Sequence, residues 1–555
     1  MFKKLIQNNL HIFLLISFFF LYIFFCYDTF IMLEPRFDQV RHMAWLESLK
    51  ESSHIINLEN FKRLNDPDGF LFSILRVAGN KGDYHAYLFQ INTILVLYFS
   101  SFFLDFFNNY SVLFVYNFTS IFFSSATIFI CYFLSAEILD AQKITYNKSK
   151  LAIIICIFFF SYYKFYFSPL GNHNISNFFF LLTFLIYKKF LFEKKKLNFF
   201  LTGCLVTFSG YFQITLAILL IPSFGLFFLL GNLRNFKFNI SNCVYYTLGV
   251  SFGLLPFISI ILFTLIFTDG YTFNFLIGES LNFYTYFIKI KNWFFNFYNL
   301  NGFIVISLLI LVFYQKELLK NKIVKLFIII ISVHFLLNII LNIIEISYIR
   351  NYLYLHHIVI ILSSVLILKY LKFKNIKFFI ISYLFIITQF ILNLNIILKE
   401  GMLDKKNSYF YSFYFSKNGL LEKNIKNLEN VLSKDLDVIF YDQLTKDYFR
   451  VYNKEIFYKS KTDRNLADIK IYLNDENKLN RSKLNEFGTL NDSFYLIAIE
   501  NNLLILDELV HNLIKNKIIN SKCTAKEPVI YKKVLPDGIT GNFTKKLIII
   551  EIECY

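Results

Sequence analysis

The sequence predicts an all-α polytopic membrane domain of about eleven transmembrane helices, followed by a C-terminal extramembrane α/β domain. Three observations predict it. Most of residues 1–399 falls into long uncharged apolar runs in a chain that is 56% hydrophobic and 20% aromatic. The basic residues gather in short loops between those runs. After about residue 400 the composition turns polar and mixed, and short alternating segments replace the long runs.

The apolar runs are 8–30, 111–135, 151–168, 174–190, 199–231, 241–268, 300–315, 323–344, 352–368 and 376–398. A helix needs about 20 such residues to cross a ~30 Å hydrocarbon core. Lys3 and Lys4 precede the first run, no small-residue cleavage site follows it, and further spans come after, which reads as a retained signal-anchor. The net charge of +17 would suit nucleic acid, but its distribution does not. Basic clusters lie at Lys3/Lys4, Lys143/Lys148/Lys150, Lys188–Lys196, Arg234/Lys237, Lys316–Lys325 and Lys369–Lys377. Cytoplasmic loops of membrane proteins carry this excess, so a nucleic-acid partner is not expected.

Counting spans from an inside N-terminus puts every cluster inside on two conditions. Segment 86–104 does not cross but lies along the outer surface, and 199–231 crosses twice, hinged near 209–213. The outer face then collects loop 31–110, loop 165–174, loop 269–299, the turn 345–351 and the tail 400–555. In the tail, "DVIFYD" (437–442), "SFYLIAIE" (493–500) and "LIIIEIE" (547–553) read as strands and "NLLILDELVHNLI" (502–514) as a helix. Cys523 and Cys554 stand in this outer domain, where an oxidising compartment permits a disulfide; two separate thiols are the alternative.

Ionisable residues concentrate just after the first span, in "LEPRFDQVRHMAWLESL" (33–49). After Pro35, Asp38, Arg41, His42 and Trp45 follow i, i+3, i+4, i+7 spacing and share one helical face. Asp38 is then either a cap favoured by the helix dipole or a functional acid at the membrane surface. His173 lies in "FSPLGNHNISN" (167–177), where the alternative is a polar helix start with Asn174 or Ser176 as cap. Arg350 sits on an outer turn where the inside rule gives no reason for a cation; an interfacial snorkelling side chain is its alternative. His356 and His357 lie slightly inside the next span, as functional groups or as interhelical hydrogen-bonders.

This order of elements resembles the GT-C glycosyltransferases, in particular the protein mannosyltransferase and aminoarabinose transferase group. The resemblance covers the layout of about residues 1–400 and rests on "DQVRHMAWLESL" (38–49), similar to that group's first-loop helix with its Asp-Glu pair and an Arg three residues after the Asp. Asp38 and Arg41 match. Gln39 stands where the pair's Glu would be, with Glu34 as the substitute carboxylate. Segment 86–104 fits the family's juxtamembrane helix. At 167–177 the family has an acid and this sequence has His173.

The resemblance implies a membrane glycosyltransferase that takes a sugar from a polyprenyl-phosphate donor to a lipid, glycan or protein acceptor. Its active site would face the outer, periplasmic side of a bacterial plasma membrane. Asp38, with Glu34, would act as catalytic base; Arg41, His42, Lys81, His85 and Arg350 would bind substrate, with Asp83 beside them. Asp38 and His173 would hold a divalent ion (Mg, Mn or Zn) if one is used. A single base opposite the leaving group inverts the anomeric centre. Walker loops, dinucleotide fingerprints, zinc-spaced Cys/His sets and G-x-S-x-G are absent from the sequence. The rival readings are a polysaccharide polymerase or O-antigen ligase-type enzyme, a lipid-linked glycan transporter or flippase, and a membrane scaffold. A ligase would carry arginines in a large late outer loop, and loop 269–299 has none. A transporter would show inverted repeats and Gly/Pro-broken spans.

Overall fold

The computed structural model describes residues 2–25, 112–161, 172–192, 195–210, 213–230, 236–267, 286–291, 318–339, 352–372, 436–440, 492–500, 522–527, 529–537 and 541–554, with shorter pieces such as 33–34, 102–103 and 416–417. The chain forms two compact units. One holds 1–27, 58–99 and 117–403, the other 28–57, 100–116 and 404–555. The described residues are mostly helical. Among the described residues, two helices, at 114–141 and 322–339, are long and apolar enough to cross a membrane; shorter apolar helices lie at 9–24, 175–187, 215–229 and 354–369.

The helices are α1 (Phe2–Phe25), α2 (Val112–Ala141), α3 (Lys148–Ser161), α4 (Asn172–Phe192), α5 (Lys196–Gly210), α6 (Ile214–Leu229), α7 (Phe236–Phe267), α8 (Lys322–Ile339) and α9 (Tyr352–Lys372). The run 199–231 divides into α5 and α6, with the break at the expected hinge. Runs 300–315 and 376–398 and most of 86–104 lie outside the described residues; within the last, Phe102 and Phe103 are helical.

The basic turns are where the helices start and stop. The Asn147 carboxamide oxygen accepts from the backbone N–H groups of Ser149 and Lys150 at 2.9 and 3.2 Å and starts α3. Asn321 does the same for Ile323 and Val324 at the start of α8. Each satisfies donors that a helix leaves open at its first turn. After α2, Lys143 adopts a left-handed conformation, φ 56°, and Ile144 N–H closes back on Leu139 O.

Contacts along the helices fix their relative direction. His11 stacks on Tyr132 while Phe19, two turns on, meets Phe122 and Phe129, so α1 and α2 run antiparallel. Tyr246 OH donates to Ile221 O and Cys243 lies against Gly225 O, so α6 and α7 run antiparallel. Lys325 Nζ donates to Leu230 O, joining the start of α8 to the end of α6. Helices α5 and α7 run parallel and touch backbone to backbone: a Cβ at Gly249 would lie 2.0 Å from Phe200 O, and one at Gly203 2.2 Å from Tyr246 O. Gly249 and Gly253 form a G-x-x-x-G step, the small-residue pattern that lets apolar helices approach closely.

In this unit polar groups are buried among the apolar core, and large apolar side chains are also exposed. Asn117, Thr119, Ser120, Ser124, Thr127, Ser176, His334, His356 and His357 are buried, while Phe20, Phe24, Leu248 and Phe252 are exposed, Phe24 by 75%. On α7 the exposed positions Ile240, Val244, Leu248, Phe252, Leu255 and Ile258 recur every three or four residues and form one apolar stripe. Buried hydroxyls bond within their own helix: Thr202 to Asn198 O, Ser223 to Leu219 O, Ser363 to Val359 O and Ser364 to Ile360 O, all within 2.6–2.8 Å. That satisfies a polar group where water is excluded.

The second unit contains two sheets. Strands β1 (Leu33–Glu34) and β2 (Ser416–Lys417) pair antiparallel, tying the start of the first loop to the start of the tail. The other strands, β3 (Asp437–Phe440), β4 (Phe494–Glu500), β5 (Cys523–Ala525), β6 (Val529–Asp537) and β7 (Gly541–Cys554), form a five-stranded mixed sheet. The three segments expected as strands lie in β3, β4 and β7; 502–514 lies outside the described residues. Strands β3 and β4 are parallel, and β7 pairs antiparallel with β4 on one side and with β5 and β6 on the other. Val438, Phe440, Tyr495, Ile497, Leu547 and Ile549 pack with Tyr448, Phe449 and Ile456 into a core. Asn453 closes it, donating to Ile425 O at 2.8 Å. Cys523 and Cys554, directly opposed in register, form a disulfide.

Candidate functional site

The helical unit has one lysine-rich end and one end where uncharged polar groups gather. Lys148, Lys196 and Lys322 lie at or beside helix starts on the first end, with Lys325 one turn into α8. The opposite end collects the starts of α4, α6 and α9 and the ends of α3, α5 and α8. Tyr354, in the first turn of α9, packs its ring 5.1 Å from Phe180 of α4 and donates its hydroxyl to the Gln213 carboxamide oxygen at the start of α6. His357, one turn later, meets Phe159 at the end of α3 edge-on, centroids 6.1 Å apart. Trp293 Nε1 donates to His334 Nδ1 at 3.1 Å, which leaves the proton of a neutral His334 on Nε2. His334 and Asn338 are buried in the half of α8 remote from Lys325.

Burial explains why these groups meet. Pairing Gln213 with Tyr354 satisfies two polar groups that would otherwise be stranded among apolar side chains. Asn177 on α4 is buried, and its Oδ1 has no hydrogen-bond partner. It lies one turn after His173, on the same face of the helix. In the helical piece 286–291, burial lowers the pKa of Lys289. At the lysine-rich end, burial and then the neighbouring Asp140 carboxylate push the Tyr146 hydroxyl above its ordinary range.

The residues expected to act fall as follows. His173 is in the first turn of α4, and Arg350 immediately precedes α9, two residues before Tyr352. His173 therefore belongs to a helix start at the polar end; Arg350 lies outside the described residues. Glu34 has its backbone in β1. Asp38, Arg41, His42, Lys81, Asp83 and His85 lie outside the described residues. Gln213, Trp293, His334 and Asn177 were not expected. Their one sequence signal is a polar or ionisable group within or beside an apolar run, as in "GYFQITLAILL" and "IIIISVHFLLN". Among the described residues, no three His, Cys, Asp or Glu side chains come together as a metal site.

No known family model matches the chain, and no curated protein is significantly similar to it.

Proposed function

We propose that this chain is a multi-pass membrane glycosyltransferase of the GT-C kind, which moves a sugar from a polyprenyl-phosphate donor to an acceptor on the outer face of the membrane. The observation that supports it best is that, among the described residues, Lys148, Lys196 and Lys322 lie at helix starts at one end of the helical unit and Gln213, Tyr354, His357 and His334 gather at the other, with apolar side chains exposed along the helices. Lipid is the solvent that makes such an exterior stable. By the inside rule the lysine end is cytoplasmic, and His173 and Arg350 then stand at the outer interface.

A polyprenyl chain keeps its donor in the bilayer and offers the sugar and phosphate at that interface. Asp38 takes the proton of the acceptor hydroxyl as that oxygen attacks the anomeric carbon. The bond from that carbon to the phosphate oxygen breaks on the opposite side, inverting the centre, and the electron pair leaves with the polyprenyl phosphate. Arg350 stabilises the departing phosphate, its planar guanidinium matching two oxygens at once. A divalent ion held by Asp38 and His173 would add positive charge there.

The decisive experiment is transfer by the purified chain from labelled polyprenyl-phosphate sugars, wild type against Asp38→Asn. Activity should fall by about 10²–10⁴-fold with expression and detergent stability unchanged. A mutant that keeps more than about a tenth of wild-type activity removes Asp38 as the base.

A further inference from the structure

We propose that the C-terminal tail is a positioning element for the transfer reaction: strand β2 clasps strand β1 and fixes the backbone of Glu34 in the first outer loop. The proposal rests on the glycosyltransferase reading. Helix α1 ends at Phe25 and β1 follows at Leu33–Glu34, so the strand stands a few residues after the first apolar run. Its partners come from beyond the last such run. Leu33 pairs with Lys417 and Glu34 with Ser416, antiparallel, and this ladder joins the first loop to the tail.

The sequence prepares Glu34 for this role. Pro35 follows it, and the residue before a proline is driven from helical to extended backbone. Proline also has no N–H to donate, so a ladder that reaches Glu34 ends there. A pair this short does not hold itself. Two short strands are at best marginal alone, and the loop they close contains every apolar run but the first. The support comes from the unit around them. Residues 28–57 and 100–116 group with 404–555, whereas 1–27 and 117–403 belong to the other unit. Both flanks of the first outer loop thus belong with the tail and not with the helices they extend.

Holding Glu34 has consequences for the chemistry. It is the carboxylate proposed to work with Asp38, four residues further on. Four residues span at most about 14 Å, so pinning Glu34 bounds where the Asp38 backbone can stand. A base works only within hydrogen-bond reach of the hydroxyl it deprotonates. A carboxylate on a loop tethered by its two ends alone does not meet that tolerance, and a third tether from the tail narrows its range. The bland alternative is a tie that only stabilises the tail.

The test uses the full chain in detergent. Leu33→Cys/Lys417→Cys puts two thiols at directly opposed positions of an antiparallel pair, a spacing that a disulfide accepts. Oxidation should give a cross-linked band that reductant removes, and the cross-linked chain should keep wild-type turnover. Ser416→Pro and Lys417→Pro each delete a backbone donor of β2, so one of them breaks the hydrogen-bonded rung. That variant should lose kcat on the order of 10²-fold, with the donor KM and the thermal unfolding of the tail unchanged. In its background the cross-link should restore turnover, and reductant should remove it again. Absence of the cross-link overturns the clasp. Proline variants that turn over like wild type, or lose turnover only as the tail unfolds, overturn the positioning role. Tryptic cleavage after Arg36 and Arg41 needs no activity. It should speed up in the variant that opens the clasp, and an unchanged rate in both proline variants overturns the proposal. Failure of the glycosyltransferase reading is seen separately, as absence of transfer by the wild type while the cross-link and the tryptic protection persist; it ends the role in transfer and leaves the clasp.

Discussion

Replacing Gly249 with alanine would place a methyl carbon 2.0 Å from the carbonyl oxygen of Phe200, about 1.4 Å inside the 3.4 Å at which ordinary contact begins. The obstacle is backbone on a neighbouring helix, so no side chain can swing aside, and α5 and α7 must separate. Overpacking of this kind costs typically about 1–3 kcal/mol, and a rigid obstacle belongs at the upper end. Alanine returns about 1 kcal/mol through its better helix propensity, leaving a net loss of about 1–2 kcal/mol. Gly203→Ala should behave alike, its Cβ meeting Tyr246 O at 2.2 Å and Val250 N at 2.7 Å. Gly253→Ala should be milder, since its nearest neighbour, Thr207 Cβ, stands further off at 2.8 Å and the nearest backbone atom, Cys204 O, at 3.2 Å. Gly225→Ala is the internal control: its nearest neighbour is a ring atom of Tyr246 at 3.6 Å, so only the propensity gain remains. Thermal unfolding in detergent, followed with a thiol-reactive dye on Cys131, Cys156, Cys204 and Cys243, would rank the four. Gly249→Ala and Gly203→Ala should melt below wild type and Gly225→Ala at or above it. Gly249→Ala melting with the wild type would refute the close crossing of α5 and α7.

Arg350→Ala should weaken donor binding and slow transfer, with only partial rescue by Arg350→Lys, because a point charge lacks the bidentate fork; equal kinetics for Lys and wild type across donor concentration would assign a snorkelling role. Single cysteines near 108 and 146 should label from outside and from inside respectively, and the reverse pattern would invert the topology. Reducing the Cys523–Cys554 disulfide, which closes a 31-residue separation, should lower the stability of the C-terminal unit by about 3.7 kcal/mol on the chain-entropy estimate; an unchanged denaturant midpoint after reduction would show the sheet holds without it.

The helices were readable because long uncharged apolar runs bounded by basic residues mark them in the composition directly. The division of 199–231 into α5 and α6 was readable too, because the lysine parity called for a hinge near 209–213. Which face of each helix turns inward was not readable. An exposed Phe252 and a core-facing Val250 are both apolar, so the periodicity that marks a water-soluble amphipathic helix is absent. Of the polar end, His173, at the start of α4, and His356 and His357 of α9 were legible in the sequence. Its interior pairs join residues 141 apart (Gln213 and Tyr354) and 41 apart (Trp293 and His334), and no local pattern announces such partners.

The extramembrane sheet divides along a similar line. Strands β3, β4 and the end of β7 are buried enough to read as apolar runs. Strand β6, "VIYKKVLPD", hides itself because its two adjacent lysines fall on opposite faces and break the alternation of each. The same doubling in "TKKLIII" conceals the first half of β7. The readable strands are the ones whose residues lie in the core: Val438 and Phe440 of β3, Tyr495 and Ile497 of β4, Leu547 and Ile549 of β7.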